Sequence, residues 1–254
     1  MLRTDWTTIS KTSLLGRMLR LPLHLIPRRT IVTIPSGINR GMKWRVGSSI
    51  HGSWLGNDEL DKQEALTKFL SRDSTIFDVG AHAGFFTLAF SRLAPNGKVF
   101  AFEPLAENTS NLIDHINLNG CKNVTIYQAA VTDQTGFTGF RLDSSSMMGN
   151  VDTDGSYRVA TISLDSLVTD YDIPIPNLIK MDIEGAESSA LAGARHIMSQ
   201  QKTVIFLALH GDEQQSLCHA ILRENRYECY ELNGSPISES DPLPSEIYAL
   251  PAGT

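Results

Sequence analysis

The run Asp78-Val79-Gly80-Ala81-His82-Ala83-Gly84 follows a short apolar stretch and opens a second one of helical length. Glycine is needed where a backbone turns sharply or where a ligand lies against it, because no Cβ intrudes. The N–H groups at the start of a following helix can hold an anion. A pyrophosphate-binding turn uses Gly-x-Gly-x-x-Gly, but here His82 replaces the middle glycine and no third glycine follows at that spacing. A nicotinamide-dependent oxidoreductase is therefore the weaker reading. A cofactor carrying a carboxylate and an amine asks less of the turn, with Asp78 receiving the amine and the helix start the carboxylate. The stretch Val99-Phe100-Ala101-Phe102 ends in Glu103, an acid about 20 residues past the turn, where a ribose diol is held in such folds. A carboxylate there can accept two hydroxyl hydrogen bonds. Turn and acid together point to an adenosine-containing cofactor.

These residues need a scaffold, and the pattern around them supplies one. Short β-rich runs alternate with helical runs from about residue 74, which predicts a parallel sheet flanked by helices. Strands are expected at Ser74–Val79, Val99–Phe102, Val124–Ala130, Leu178–Met181 and Val204–Leu209, followed by an antiparallel terminal pair, Tyr227–Leu232 and Glu246–Leu250. Helices are expected at Phe85–Leu93, Glu107–Asn119, Glu187–Ser199 and Glu213–Arg223. The Ser/Gly/Asp-rich stretch Phe137–Val159, with Met147 and Met148, reads as a hairpin-like excursion near the open end of the sheet. The fold class is thus α/β, a doubly wound, Rossmann-like sheet of seven strands with the last antiparallel, and its ligands are expected at the strand carboxyl ends. Residues 1–57 form an N-terminal basic extension with a small β element, and 58–254 the main domain.

The run Phe77–Thr87 with Ala101-Phe102-Glu103-Pro104 resembles the FkbM family of methyltransferases. So does Lys180-Met181-Asp182-Ile183-Glu184-Gly185-Ala186-Glu187, which is similar to that family's Lys-Ile-Asp-Val-Glu-Gly-x-Glu signature. Thr161–Leu167 and Trp54-Leu55-Gly56-Asn57-Asp58-Glu59 resemble two further family segments, the second with Asp58 where an aromatic is usual. The likeness covers roughly residues 40–232 and implies a class I methyltransferase fold. It also implies S-adenosylmethionine as cofactor and O-methylation of a hydroxyl on a saccharide, glycolipid or polyketide-type metabolite. One departure is Ala208-Leu209-His210, where the family often has Glu-x-His.

By this resemblance Asp78, Gly80 and Gly84 face the methionine part, Glu103 the ribose, and Ala130-Val131 the adenine; His82 either binds the carboxylate or fills space. Asp182, at the end of the fourth strand, is expected beside the methyl donor as general base or acceptor anchor. A carboxylate with an ordinary pKa of ~3.9 is a feeble base, whereas His210, at the end of the fifth strand, starts from ~6.5. Glu184 is the candidate substrate contact. Glu184 and Glu187 also suit a helix start through the helix dipole alone. Asp182, Glu184 and His210 could collect a divalent metal, but no spacing demands one and a metal is not favoured. His51, His115, His196 and His219 read as structural.

The bulk numbers exclude little else. With a net charge of −6 the chain is not a general nucleic-acid binder. Residues 1–45, however, hold nine Lys/Arg and one acid, a surplus of eight that leaves −14 for the rest. The stretch Leu14–Ile26 is apolar but interrupted by Arg17, Arg20 and His24, so residues 1–30 are a candidate for peripheral membrane contact or for an ordinary N-terminal helix. An alternative function follows from it, a non-catalytic adapter docking through this basic segment. Three scattered cysteines suggest reduced thiols and a cytoplasmic protein.

Overall fold

The computed structural model describes residues 26–142, 149–152 and 154–253, and divides into two compact units, Met1–Leu60 and Asp61–Thr254. In the first unit β1 (Ile31–Thr33) and β2 (Lys43–Arg45) pair antiparallel, with Val32 opposite Trp44. The indole of Trp44 is fully buried. The short helix α1 (His51–Leu55) is braced internally, because Trp54 Nε1 donates to His51 Nδ1 at 3.2 Å. Most of the basic segment expected at residues 1–30, up to residue 25, lies outside the described residues, as do Met147 and Met148. Among the described residues no helix is long and apolar enough to cross a membrane.

In the second unit α2 (Leu60–Thr67) precedes β3 (Thr75–Val79), α3 (Phe85–Leu93), β4 (Lys98–Phe102), α4 (Ala106–Asn119) and β5 (Val124–Tyr127). Every residue of β3 is buried, as expected of a central parallel strand covered on both faces. Helix α3 is buried from Phe85 to Ser91, so its apolar residues need no solvent-facing stripe. Helix α4 turns Leu112 and His115 inward. His115 Nδ1 donates to the Ala83 carbonyl at 2.7 Å, which ties α4 to the glycine turn and fixes the imidazole tautomer.

The third strand, expected as one run over Val124–Ala130, is divided. The Ala129 N–H returns to the Tyr127 carbonyl at 2.9 Å. Such a three-residue turn ends the ladder without any change in hydrophobic pattern. Beyond it β6 (Ala130–Val131), β7 (Gly136–Leu142), β8 (Gly149–Val151) and β9 (Tyr157–Ile162) form a separate four-stranded sheet in the order β6-β9-β7-β8. The excursion expected over 137–159 is therefore a small sheet of its own.

Helix α5 (Leu164–Thr169) and β10 (Leu178–Met181) follow. The single helix expected over Glu187–Ser199 is two, α6 (Glu187–Ala192) and α7 (Arg195–Ser199). They break at Gly193, where a Cβ would lie 2.3 Å from the Thr132 carbonyl oxygen. The Asp165 carboxylate caps α7, accepting from the His196 and Ile197 N–H groups at 2.8 and 3.0 Å. Then come β11 (Val204–Ala208), α8 (Asp212–Glu224), β12 (Tyr227–Glu231) and β13 (Glu246–Pro251).

The large sheet has the order β12-β13-β11-β10-β3-β4-β5, with β13 antiparallel to both neighbours. This is the seven-stranded α/β sheet with one antiparallel strand that the sequence pattern predicts. Strands β5, β4, β3, β10 and β11 are mutually parallel, so their carboxyl ends share one edge. Gly80, Glu103, Asp182 and His210 all follow strands on that edge.

Gly80 sets how closely β3 and β10 approach there. Its φ is 74°, and a Cβ would lie 1.9 Å from the Asp182 carbonyl oxygen. Gly80→Ala must both hold a left-handed backbone and push the two strand ends apart, at a cost of roughly 2–5 kcal/mol. Urea unfolding measures this directly. An unchanged midpoint would mean that the close approach does not exist.

Candidate active site

Asp78 is fully buried beneath the turn. Its Oδ2 accepts from Thr87 Oγ1 at 2.5 Å, and Lys180 Nζ lies 3.3 Å from Oδ1 in an ionic contact rather than an aligned hydrogen bond. The two residues are direct neighbours across the β3–β10 ladder. Lys180 also donates to the Gly80 carbonyl at 2.9 Å, so one buried ammonium braces the carboxylate and the turn together. Gly84, at φ 93°, starts α3, and a Cβ there would lie 2.4 Å from Leu112 Cδ1.

His82 has φ 49°, in the left-handed region that L residues seldom enter. Its backbone N–H donates to Glu103 Oε2 at 2.9 Å. The other oxygen of Glu103 accepts from Leu105 N at 3.0 Å and Asn108 Nδ2 at 3.2 Å. A carboxylate has about four acceptor sites, so this one keeps room for a single further donor on Oε2. Burial raises the Glu103 pKa, opposed by the hydrogen bonds from Leu105, Asn108 and His82 and by the charge of Lys180. Ala130 and Val131 lie just beyond the end of β5, buried, and pair with Thr161 and Ile162.

The second cluster stands at the ends of β10 and β11. Asp182 Oδ2 lies 3.7 Å from Lys62 Nζ, which also pairs with Glu246 Oε1 at 2.8 Å. Lys62 is buried, and its ammonium sits 5.9 Å from the centroid of Phe86, whose ring Lys180 approaches at 5.6 Å. Burial alone would push the Asp182 carboxyl up. Lys180, Lys62 and His210 outweigh it and hold the group below its ordinary value. Asp182 is thus an ionised carboxylate and a weak base.

His210 Nδ1 meets Glu187 Oε1 at 2.7 Å, while Nε2 faces Glu184 Oε2 at 3.5 Å and Asp182 Oδ1 at 3.8 Å. A carboxylate accepts, so Nδ1 carries the proton and Nε2 is left to exchange one. Glu187 is fully buried and is held by the Gly185 N–H at 3.0 Å. Its hydrogen bond lifts the imidazole pKa above the ordinary value; burial opposes this, and the charges of Glu184, Glu187 and Asp182 reinforce it. The ligand atoms of Asp182, Glu184 and His210 lie within 4.8 Å of one another and could hold a hard divalent cation. Lys62 already supplies Asp182 with positive charge.

The structure therefore brings Asp78, Gly80, His82, Gly84 and Glu103 into one group, and Asp182, Glu184 and His210 into another. Sequence reasoning missed Lys62, Lys180 and the part that Glu187 plays behind His210. Lys180 left a signal, a lysine inside the otherwise apolar strand Leu-Ile-Lys-Met. Lys62 left none, because its partners stand far along the chain.

The sequence profile of the methyltransferase FkbM domain matches residues 78–232, from the turn to the end of β12. The chain belongs to the FkbM methyltransferase family. Among curated relatives, hexuronic acid methyltransferase AglP of Haloferax volcanii is 28% identical over 162 residues, covering 62% of this chain and 66% of that protein. The 2-O-methyltransferase NoeI of Sinorhizobium fredii is 23% identical over 156 residues, covering 52% of this chain and 62% of that protein. The chain spans just under two thirds of the length of these relatives. The crystal structure of a methyltransferase FkbM from Methylobacillus flagellatus KT shares the fold at 20% identity and a TM-score of 0.50, covering 71% of this chain and 44% of that one.

The raised pKa of His210 has a definite sign for stability. The folded state favours the imidazolium, so the contribution is complete below the unfolded pKa of ~6.5 and is lost as pH rises through the folded pKa above it. Denaturant midpoints of the native protein and His210→Gln should therefore converge as pH rises through that window. Curves that stay parallel from pH 6 to 9 would remove the Glu187–His210 coupling.

Proposed function

We propose that this methyltransferase uses S-adenosylmethionine to methylate a hydroxyl of a saccharide, with the Glu187–His210 pair taking the hydroxyl proton. The observation that carries the reading is the 2.7 Å contact between His210 Nδ1 and Glu187, which leaves Nε2 open toward Asp182 on the reaction edge of the sheet. The names of the two relatives, one acting on a hexuronic acid and one a 2-O-methyltransferase, support a sugar hydroxyl as acceptor.

The residues present fit this cofactor. Gly80 and Gly84 leave backbone without Cβ atoms at the turn, and Glu103 has one acceptor site for a ribose hydroxyl. Ala130 and Val131 stand beyond β5 on the adenine side. Asp78 acts from beneath, holding the turn through Lys180 and Thr87. Bound S-adenosylmethionine supplies an electrophilic methyl group.

The acceptor hydroxyl is held by Asp182, which stays ionised and aligns it without taking its proton. His210 takes that proton at Nε2, and Glu187 stabilises the imidazolium that results. Glu184, half-exposed at φ 55°, stands 3.5 Å from the same Nε2 and is the substrate contact. Lining up acceptor and methyl group provides much of the rate in a displacement of this kind.

Calorimetric titration with S-adenosylhomocysteine tests the cofactor. Binding is expected in the native protein and at least several-fold weaker in Glu103→Ala; no heat at millimolar ligand with a folded sample would sink the proposal. The base is tested by Glu187→Gln. It should lower kcat by at least ~10-fold, a share of the ~10²–10⁴ that general bases contribute, and leave S-adenosylhomocysteine affinity within about twofold. The acid limb of the pH–rate profile should also move to lower pH, because the hydrogen bond that raises the His210 pKa is weakened. An unmoved limb would exclude His210 as the base.

A further inference from the structure

A cleft of about 700 Å³ lies between the first turns of α8 and the loop that joins β12 to β13, away from the glycine turn. Two of its lining residues are linked to the neighbourhood of the proposed base. Asp212 on its wall is the second residue after His210. On the opposite wall Pro244 precedes Ser245, whose carbonyl accepts from Leu209 N at 2.7 Å, beside His210. The cleft thus lies beyond β11, while Gly80 and Glu103 lie at β3 and β4.

Its lining has two kinds of surface. Ile237, the buried Leu243 and the ring faces of prolines give apolar patches. Asp212, Glu231 and Asp241 add carboxylates, and no Lys or Arg lines it. The nearby cation Arg223 is paired with Glu239 at 3.1 Å. For His219, burial and then Arg223 hold the pKa below the ordinary value, which favours the neutral imidazole. Apolar faces with hydrogen-bond acceptors beside them match the C–H face and hydroxyl edge of a sugar ring. Three acids with no cation match donors, hydroxyl or ammonium, and repel carboxylate and phosphate.

We infer that this cleft seats the part of the acceptor beyond the methylated unit, and that this part is a neutral or amine-bearing sugar. The assignment rests on the saccharide reading above and narrows it. A chain of uronic acids, the sugar named for the Haloferax relative, would meet like charge here.

The test uses the full chain saturated with S-adenosylhomocysteine and three probes: maltotriose, the trimer of glucosamine, and trigalacturonate. Calorimetry or saturation-transfer NMR should find the neutral or the amino trimer bound at least fivefold more tightly than trigalacturonate. Asp241→Lys should weaken that trimer at least fivefold and strengthen trigalacturonate, and Ser216→Trp, which fills the cleft, should abolish binding. Trigalacturonate binding as well as the others, no trimer binding at all, or affinities unmoved by both variants would each overturn the cleft assignment. If S-adenosylhomocysteine still binds in those cases, the methyltransferase reading stands without it. If it does not bind the native protein, both fall.

Discussion

The site is organised around one ammonium group, that of Lys180, withdrawn from water between β3 and β10. Removing two charges from water is costly, and an ion pair offsets that cost only when its geometry and extra hydrogen bonds are good. Here Asp78 supplies the opposite charge, Thr87 donates to the second carboxylate oxygen, and the Gly80 carbonyl accepts a hydrogen bond from Lys180. The strands are thereby locked in the register that sets Gly80 against the Asp182 carbonyl. The strand ends that carry Gly80 and Asp182 take their positions from that register.

Two further carboxylates that feel this ammonium's charge, Glu103 and Asp182, show how environment divides one chemistry into two. Glu103 is held mainly by neutral dipoles, the N–H groups of His82 and Leu105 and the amide of Asn108, and burial wins, raising its pKa. Asp182 is only half-buried, and Lys180, Lys62 and His210 bring positive charge to it, so charge wins. Phe86 lies against both lysines, so its ring face meets two ammonium groups where a smaller residue would leave a gap.

Much of this was legible in the sequence where the signal is local. The turn announces itself through glycines between an apolar strand and an apolar helix, and Glu103 through its spacing from them. The parallel sheet and its antiparallel last strand follow from alternation and from the turn-rich link before Glu246. What stayed hidden is tertiary. The end of β5 at Tyr127 depends on a single backbone hydrogen bond from Ala129. The break between α6 and α7 depends on the Thr132 carbonyl pressing where Gly193 has no side chain. Glu187 looked like a helix-start acid favoured by the dipole, and its burial behind His210 appears only when β11 is laid beside β10. His82 was ambiguous because its contribution to the turn comes from its main chain.

Strand β13 follows β11 and β12 along the chain, yet it sits between them in the sheet. During synthesis the sheet must therefore hold a gap one strand wide until Glu246–Pro251 has left the ribosome. Until then β11 and β12 expose unpaired edges, and Lys62 lacks Glu246. Contacts so distant in sequence slow folding and expose incomplete sheets to aggregation.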